Sequence, residues 1–404
     1  MLITADTVVT GEQILRPGWI DVDPRSGRVR AVGSDRPSRP VDPDAGDLAL
    51  GAVTLVPGFV DMHVHGGGSG TFGETSAEAT RTAVELHRRH GTTTMVASLV
   101  TAQPDELLDQ VAFMAEQVQD GLITGLHLEG PWLSSRRCGA HDPGALRDPD
   151  TRELGAVLRA GRGTIRMVTL APERIGGLTA VRQLVAESVV AAVGHTDATY
   201  EQARAAIDAG ATVGTHLFNA MRPVHHREPG PVIALLEDPR VTVEMITDGV
   251  HLHPALYRDV THTVGSDRVA LVTDAMAAAG MADGAYRLGA LDVDVVDGVA
   301  RVAGTDTIAG STATMDHVFR FAVRSSGADP DTAVLTAVRQ SSVNPARALG
   351  LPDPTLATDA AADIVVLDDG LAVTGVLRRG RWVVEPALPS LVGQPPEPAE
   401  GLVH

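Results

Sequence analysis

The sequence predicts an α/β fold: a (β/α)8 barrel of the TIM type beside a small β-sandwich built from both ends of the chain. Three observations predict it. Eight short apolar runs rich in β-branched residues fill the middle of the chain. Amphipathic helical patterns separate most of them, and both flanks read as short strands and turns.

The first flank, residues 1–52, holds "LITADTVVT", "GWIDVD", a turn at "PRSGR" and then "VRAVG". Near the other end, "IVVLDDGLAVTGVLRRGRWVV" (364–384) reads the same way. Residues 1–52 and 355–385 are therefore expected to form the sandwich, 53–354 the barrel, and the Pro-rich 386–404 a C-terminal tail. The eight barrel runs are 54–65, 93–101, 122–129, 164–171, 188–195, 211–218, 241–248 and 269–274. Helices are expected at 76–91, 104–121 and 199–210, and a β-hairpin inserted before the last crossover at 286–304.

The chain has 404 residues, 44% hydrophobic and 21% charged, which suits a globular protein with a large core. Its net charge of −18 argues against nonspecific binding to nucleic acid or to anionic membrane. No apolar run reaches the length of a membrane span, and "MLITADTVVTGEQ" lacks the layout of a secretory signal. Cys138 is the only cysteine, so no intrachain disulfide can form and a reducing, cytoplasmic compartment is expected. There is no lysine: all 33 basic residues are arginine. Schiff-base chemistry, a carboxylated-lysine metal bridge and a Walker phosphate loop are excluded.

The chemistry collects where the runs end. The first closes in "PGFVDMHVHGGG" (57–68), and strict alternation puts Phe59, Asp61, His63 and His65 on one strand face, with Val60, Met62 and Val64 on the other. Later runs end in Glu129, His195, His216 with Asn219, Asp248 with His251, and Asp274. Any one of these can be a helix cap or a hydrogen-bonded histidine. Convergence on the C-terminal rim of a barrel, where active sites of this fold sit, is not expected of caps. His87, His90, His127, His253, His262, His317 and His404 fit ordinary structural roles. Histidine with carboxylate suits Zn²⁺ or Fe²⁺ better than Ca²⁺ or Mg²⁺, and three ligands with an open position describe a catalytic site.

These residues resemble the amidohydrolase superfamily, and within it the N-acetylglucosamine-6-phosphate deacetylase family. The matching segments are "PGFVDMHVHG", "GLHLEGPWL", "AVGHTDA", "GTHLFNAMRPVHHREPG", "TDGVHLHP", "LVTDAM" and "IAGS", spread over nearly the whole chain. The resemblance implies metal-dependent removal of acetate from N-acetyl-D-glucosamine 6-phosphate. It implies Glu129, His195 and His216 as metal ligands and Asp274 as the catalytic aspartate, which takes a proton from water and returns it to the departing amine. It implies substrate contacts from Asn219, Ala220, Arg227, His251 and the Ile308–Ala309–Gly310 backbone, with His226 as a further donor. "CGAHDP" would bring Ala140 and His141 to the substrate, although Arg136-Arg137-Cys138-Gly139 departs from the family's lysine-glycine lead-in.

The family is commonly a homodimer, with the loop that carries Arg227 reaching the neighbouring active site. This chain also keeps His63 and His65, so a second metal ion bridged by Glu129 is expected beside the first. Rival readings on the same scaffold are an N-acetylgalactosamine-6-phosphate deacetylase and an N-acyl-amino-acid deacylase. A non-catalytic scaffold would have lost the ligands.

Overall fold

The computed structural model describes residues 1–37 and 39–387, so residues 388–404 of the expected tail lie outside the described residues. Eight parallel strands make one sheet in sequential order: β1 (Phe59–Val64), β2 (Thr92–Leu99), β3 (Gly125–Glu129), β4 (Ile165–Leu170), β5 (Val190–Val193), β6 (Val213–Gly214), β7 (Thr242–Met245) and β8 (Val269–Leu271). Helices α1 (Ala77–Arg89), α2 (Pro104–Gln119), α3 (Thr151–Ala160), α4 (Gly177–Ala186), α5 (Tyr200–Asp208), α6 (Gly230–Glu237), α7 (Pro254–Val264) and α8 (Met315–Ser325) follow the strands. Their ends obey local chemistry. Ser76 caps α1, Asp150 caps α3, and Thr199 with Gln202 forms a reciprocal capping box on α5. The α1 residues Thr80, Ala83, Val84 and His87, at helical spacing, are the buried ones. Among the described residues no helix is long and apolar enough to cross a membrane.

The barrel interior is layered. Met62, Val96, Met167, Ala192, Val213 and Ala270 form an apolar cluster with Leu349. Two residues further along their strands, a polar belt replaces it. Ser98 Oγ meets His127 Nδ1 at 2.9 Å, His127 Nε2 meets Thr169 Oγ1 at 2.8 Å, and Thr169 meets Thr215 at 2.8 Å. His127 thus takes the structural role expected of it. Above the belt lies the rim. Strands β8 and β1 close the ring there through the turn after β8: the Asp274 amide donates to the His63 carbonyl (2.9 Å) and the His65 amide to the Ala275 carbonyl (2.8 Å).

Two local expectations are corrected. The run 54–65 is two strands, because Thr54–Pro57 pairs with Ile364–Leu367 while Phe59–Val64 enters the barrel. Gly58 sits at the join, where an added Cβ would lie 2.1 Å from Thr93 Oγ1. The strict alternation of β1 also fails. Asp61 to Val64 spans three steps against two from Met95 to Ala97, so β1 carries a bulge. Phe59 faces outward onto Phe319 of α8, ring centroids 5.2 Å apart, whereas Met62 lies in the interior cluster. The extra residue turns His63 back to the inside, one position after Met62.

The chain ends form two further sheets. One holds Leu2–Ala5, Gly18–Asp23, Arg28–Gly33 and Leu48–Ala49. The other holds Thr7–Val9, Ile14–Leu15, Thr54–Pro57, Ile364–Leu367, Val373–Arg378 and Arg381–Val384. They share one apolar core, including Ile3, Ile20, Leu55 and Ile364. The expected hairpin at 286–304 has a third strand: Gly284–Leu288, Leu291–Val296 and Val299–Val302 form an antiparallel sheet. Phe59 joins barrel wall to helix layer and is fully buried. Phe59→Ala should lower unfolding free energy by about 3–5 kcal/mol in urea titration. A loss under about 1 kcal/mol would mean that this contact is not part of the packed core.

Candidate active site

His63, His65, Glu129, His195, His216 and Asp274 deliver their side chains to one point, while Asn219, Asp248 and His251 stand apart from it. Glu129 ends β3, and His195, His216 and Asp274 lie just beyond β5, β6 and β8. These last three have positive φ (+47°, +24° and +49°), a backbone region that costs a non-glycine residue on the order of 1–3 kcal/mol. Neighbouring hydrogen bonds hold the turns: the Ser134 amide donates to the His195 carbonyl, and the Ser311 amide to that of Asp274. Gly310, at φ +62°, must be glycine, since a Cβ would lie 2.8 Å from the Asp274 carbonyl oxygen.

Glu129 is the hub. Its Oε1 lies 2.9 Å from His216 Nε2 and 3.0 Å from His195 Nε2, and its Oε2 lies 3.2 Å from His65 Nε2 and 3.3 Å from His141 Nε2. Asp274 Oδ1 is 3.1 Å from His65 Nε2 and 3.5 Å from His63 Nε2. The Nε2 atoms of His195 and His216 are 3.0 Å apart, and those of His63 and His65 are 3.2 Å apart. Two overlapping donor sets result, His63–His65–Glu129–Asp274 and Glu129–His141–His195. All of these side chains are buried.

The outer hydrogen bonds set the tautomers. His195 Nδ1 donates to the Arg137 carbonyl at 2.9 Å, and His63 Nδ1 donates to the Glu244 carboxylate at 3.0 Å. Each leaves its Nε2 as the inward donor atom, as in metal-ligating histidines. His141 is arranged oppositely. The Thr101 amide donates to its Nδ1, so Nε2 carries the proton and points into the site.

Charge agrees with this picture. Burial holds the His195 pKa down to about 4 despite Glu129, so that ring is neutral. Burial also opposes charge on His65, but Asp274 and Glu129 outweigh it and raise the pKa to about 9. His63 is raised too: the carboxylates of Glu129, Glu244 and Asp274 overcome its burial. Burial would raise Glu129 and Asp274, yet the surrounding imidazoles hold both carboxyls well below the usual range. The carboxylates that favour positive charge on His63 and His65 would equally favour a divalent cation among them. The donor set fits such a cation.

A cavity of about 380 Å³ opens over the cluster. Ala140, His141, Asn219, Ala220, His251, Ile308 and Gly310 line it, together with His65, Glu129, His195, His216 and Asp274. Ala309 does not: it is fully buried, and its amide donates to Ala300. His226 and Arg227 are not among the lining residues. They are exposed on the loop before α6, paired with each other at 2.8 Å. Asp248 accepts from His251 Nδ1 at 2.7 Å and so orients it. His63 lies deeper, beneath His65.

Sequence reasoning missed Glu244, whose signal was a single charge inside the apolar run "VTVEMI". It also missed the cavity positions of Arg136, Arg137 and Leu288.

Residues 54–383 match the amidohydrolase family. An N-acetylglucosamine-6-phosphate deacetylase from Vibrio furnissii is 38% identical, covering 77% of each chain. An N-acetylgalactosamine-6-phosphate deacetylase from Escherichia coli O157:H7 is 36% identical, covering 82% of this chain and 88% of the relative. The N-acetyl-D-glucosamine-6-phosphate deacetylase of Mycobacterium smegmatis, as an aspartate-to-alanine mutant in complex with N-acetyl-D-glucosamine-6-phosphate, superposes with a TM-score of 0.93. It is 64% identical, over 95% of this chain and 99% of the other. The chain belongs to the amidohydrolase family, in its N-acetylglucosamine-6-phosphate deacetylase branch.

Proposed function

We propose that the protein hydrolyses the acetamide of N-acetyl-D-glucosamine 6-phosphate, giving D-glucosamine 6-phosphate and acetate. The observation that carries the reading is the convergence of Glu129, Asp274, His65, His141, His195 and His216 at the floor of one cavity. Glu129, His195 and His216 would hold one divalent ion, Zn²⁺ or Fe²⁺ by donor type, and His63, His65, Glu129 and Asp274 a second. A bound ion supplies Lewis acidity toward the amide carbonyl and the attacking water.

The rest falls to this chain's own groups. Asp274 stays ionised in its imidazole setting, ready to accept a proton from water at Oδ1 and return it to the departing amine. His141 presents an Nε2–H to the oxygen that becomes negative. His251, steadied by Asp248, faces the sugar side of the cavity beside Asn219 and Ala220.

Phosphate recognition must come from arginine. Arg227 and His226 stand outside their own chain's cavity, which fits a homodimer in which this loop serves the neighbour. A cytoplasmic setting fits the single cysteine and the phosphorylated substrate. A second reading, the galacto epimer as substrate, is favoured by the relative from Escherichia coli O157:H7.

Acetate release should be measured on both 6-phosphorylated N-acetylhexosamines and on the free sugars, with Zn²⁺ and with Fe²⁺. We expect the gluco 6-phosphate to give the highest kcat/KM. Absence of turnover on every phosphosugar would end the deacetylase reading. Asp274→Asn should reduce kcat about 10²–10⁴-fold while the first metal ion stays bound. Activity within a few-fold of wild type would remove Asp274 from proton transfer. Arg227→Ala should raise KM for the phosphorylated sugar about 10–100-fold, the worth of a charged hydrogen bond, and leave the free sugar unaffected. Equal effects on both would place Arg227 outside the phosphate site.

A further inference from the structure

Glu244 lies on β7, between β6 and β8. It is fully buried. One oxygen, Oε2, accepts from His63 Nδ1 at 3.0 Å and from the His216 backbone amide at 3.1 Å. Its own backbone carbonyl accepts from the Leu217 amide at 2.8 Å. One residue thus grips a histidine on β1 and the turn that presents another beyond β6. The His216 turn is a strained one, at φ +24°, and both bonds fall on it.

Strand packing alone does not call for a carboxylate here. The rest of the belt is closed by neutral groups, Ser98, His127, Thr169 and Thr215, each satisfied by hydrogen bonds. A glutamine would offer the same acceptor. The carboxylate adds a buried negative charge, and its Oε1 has no hydrogen-bond partner. Such a charge is costly unless positive charge stands close by. The imidazole it touches is one of the four donors of a candidate cation site.

We propose that Glu244 is a positioning residue for metal binding. Its carboxylate holds His63 with Nδ1–H engaged and Nε2 facing the ion, and it couples that histidine to the turn that carries His216. The inference rests on the metal-site reading above. A carboxylate behind a ligating imidazole orients the ring and makes it a better donor, and loss of such a partner typically weakens metal affinity about 10–100-fold.

The test uses the full-length loaded enzyme, wild type and Glu244→Gln, dialysed against rising concentrations of a chelator such as dipicolinate. Metal per chain is then counted by mass spectrometry. We expect wild type to hold two equivalents. Glu244→Gln should release the second at about 10–100-fold lower chelator, while its metal-free form melts within a few degrees of metal-free wild type. Equal retention in the two proteins overturns the role of Glu244 and leaves the metal reading standing, as does a variant altered only in metal-free melting. Wild type with fewer than two equivalents overturns both this inference and the second metal site. If Glu244→Gln does not fold, nitrogen-15 NMR of loaded wild type decides. A His63 ring protonated on Nδ1 with a metal-shifted Nε2 supports the proposal, and one protonated on Nε2 overturns it.

Discussion

The Glu129 carboxylate organises the rim. Five imidazoles, from His63, His65, His141, His195 and His216, come within 3.5 Å of its two oxygens. A lone carboxylate at that depth would be driven neutral by the loss of water. Here the surrounding rings reverse that tendency and keep it charged. The dependence runs both ways. The rings sit close enough to repel one another when protonated, and the carboxylates of Glu129, Asp274 and Glu244 among them offset that repulsion. Three other strands and one loop must deliver their side chains to this one group. The strained backbone at His195, His216 and Asp274 is what such convergence demands at the ends of strands that otherwise point apart.

The same demand explains how the barrel closes. Strands β1 and β8 are not joined by a regular ladder. They meet through backbone bonds made by His63, His65, Asp274 and Ala275, with Asp61 accepting from Thr273 just below. Residues of the site are therefore also residues of the seam. Burial raises the Asp61 pKa to about 7 despite its bonds to Thr273. Chemistry and closure occupy one place, the seam made by the backbone of residues whose side chains form the site.

Much of this was legible in the sequence, because strand ends in a parallel barrel form one rim whatever the loop lengths are. Glu129, His195, His216 and Asp274 stand among the last three residues of their apolar runs, and the structure brings them together. What was not legible depended on events that leave no local mark. The bulge in β1 has no glycine or proline to announce it, so alternation placed Phe59 with His63 when the two face opposite ways. Glu244 hid in an apolar run, since its partners come from β1 and from the turn after β6. Ala309 was carried over with its neighbours, but its own amide is spent on Ala300. Arg136 and Arg137 looked like a departure from pattern, yet the Arg137 carbonyl is what orients His195.

That last bond links substrate loop to metal chemistry. The loop between β3 and α3 supplies His141 as a donor, Arg137 as the acceptor for His195, and Ala140 as part of the cavity wall. Its arginine side chains are held by Asp197, two residues beyond His195 itself, at 2.9 Å for Arg137 and 3.4 Å for the mostly exposed Arg136. In a chain of net charge −18, Arg136 and Arg137 line the cavity beside Glu129, Asp274 and Asp306, so the opening carries both signs of charge. The ion pairs with Asp197 seat the loop, and the Arg137 carbonyl turns the ligand histidine inward. Preorganisation here is a matter of one backbone carbonyl and one aspartate, both within a few residues of the groups they steady.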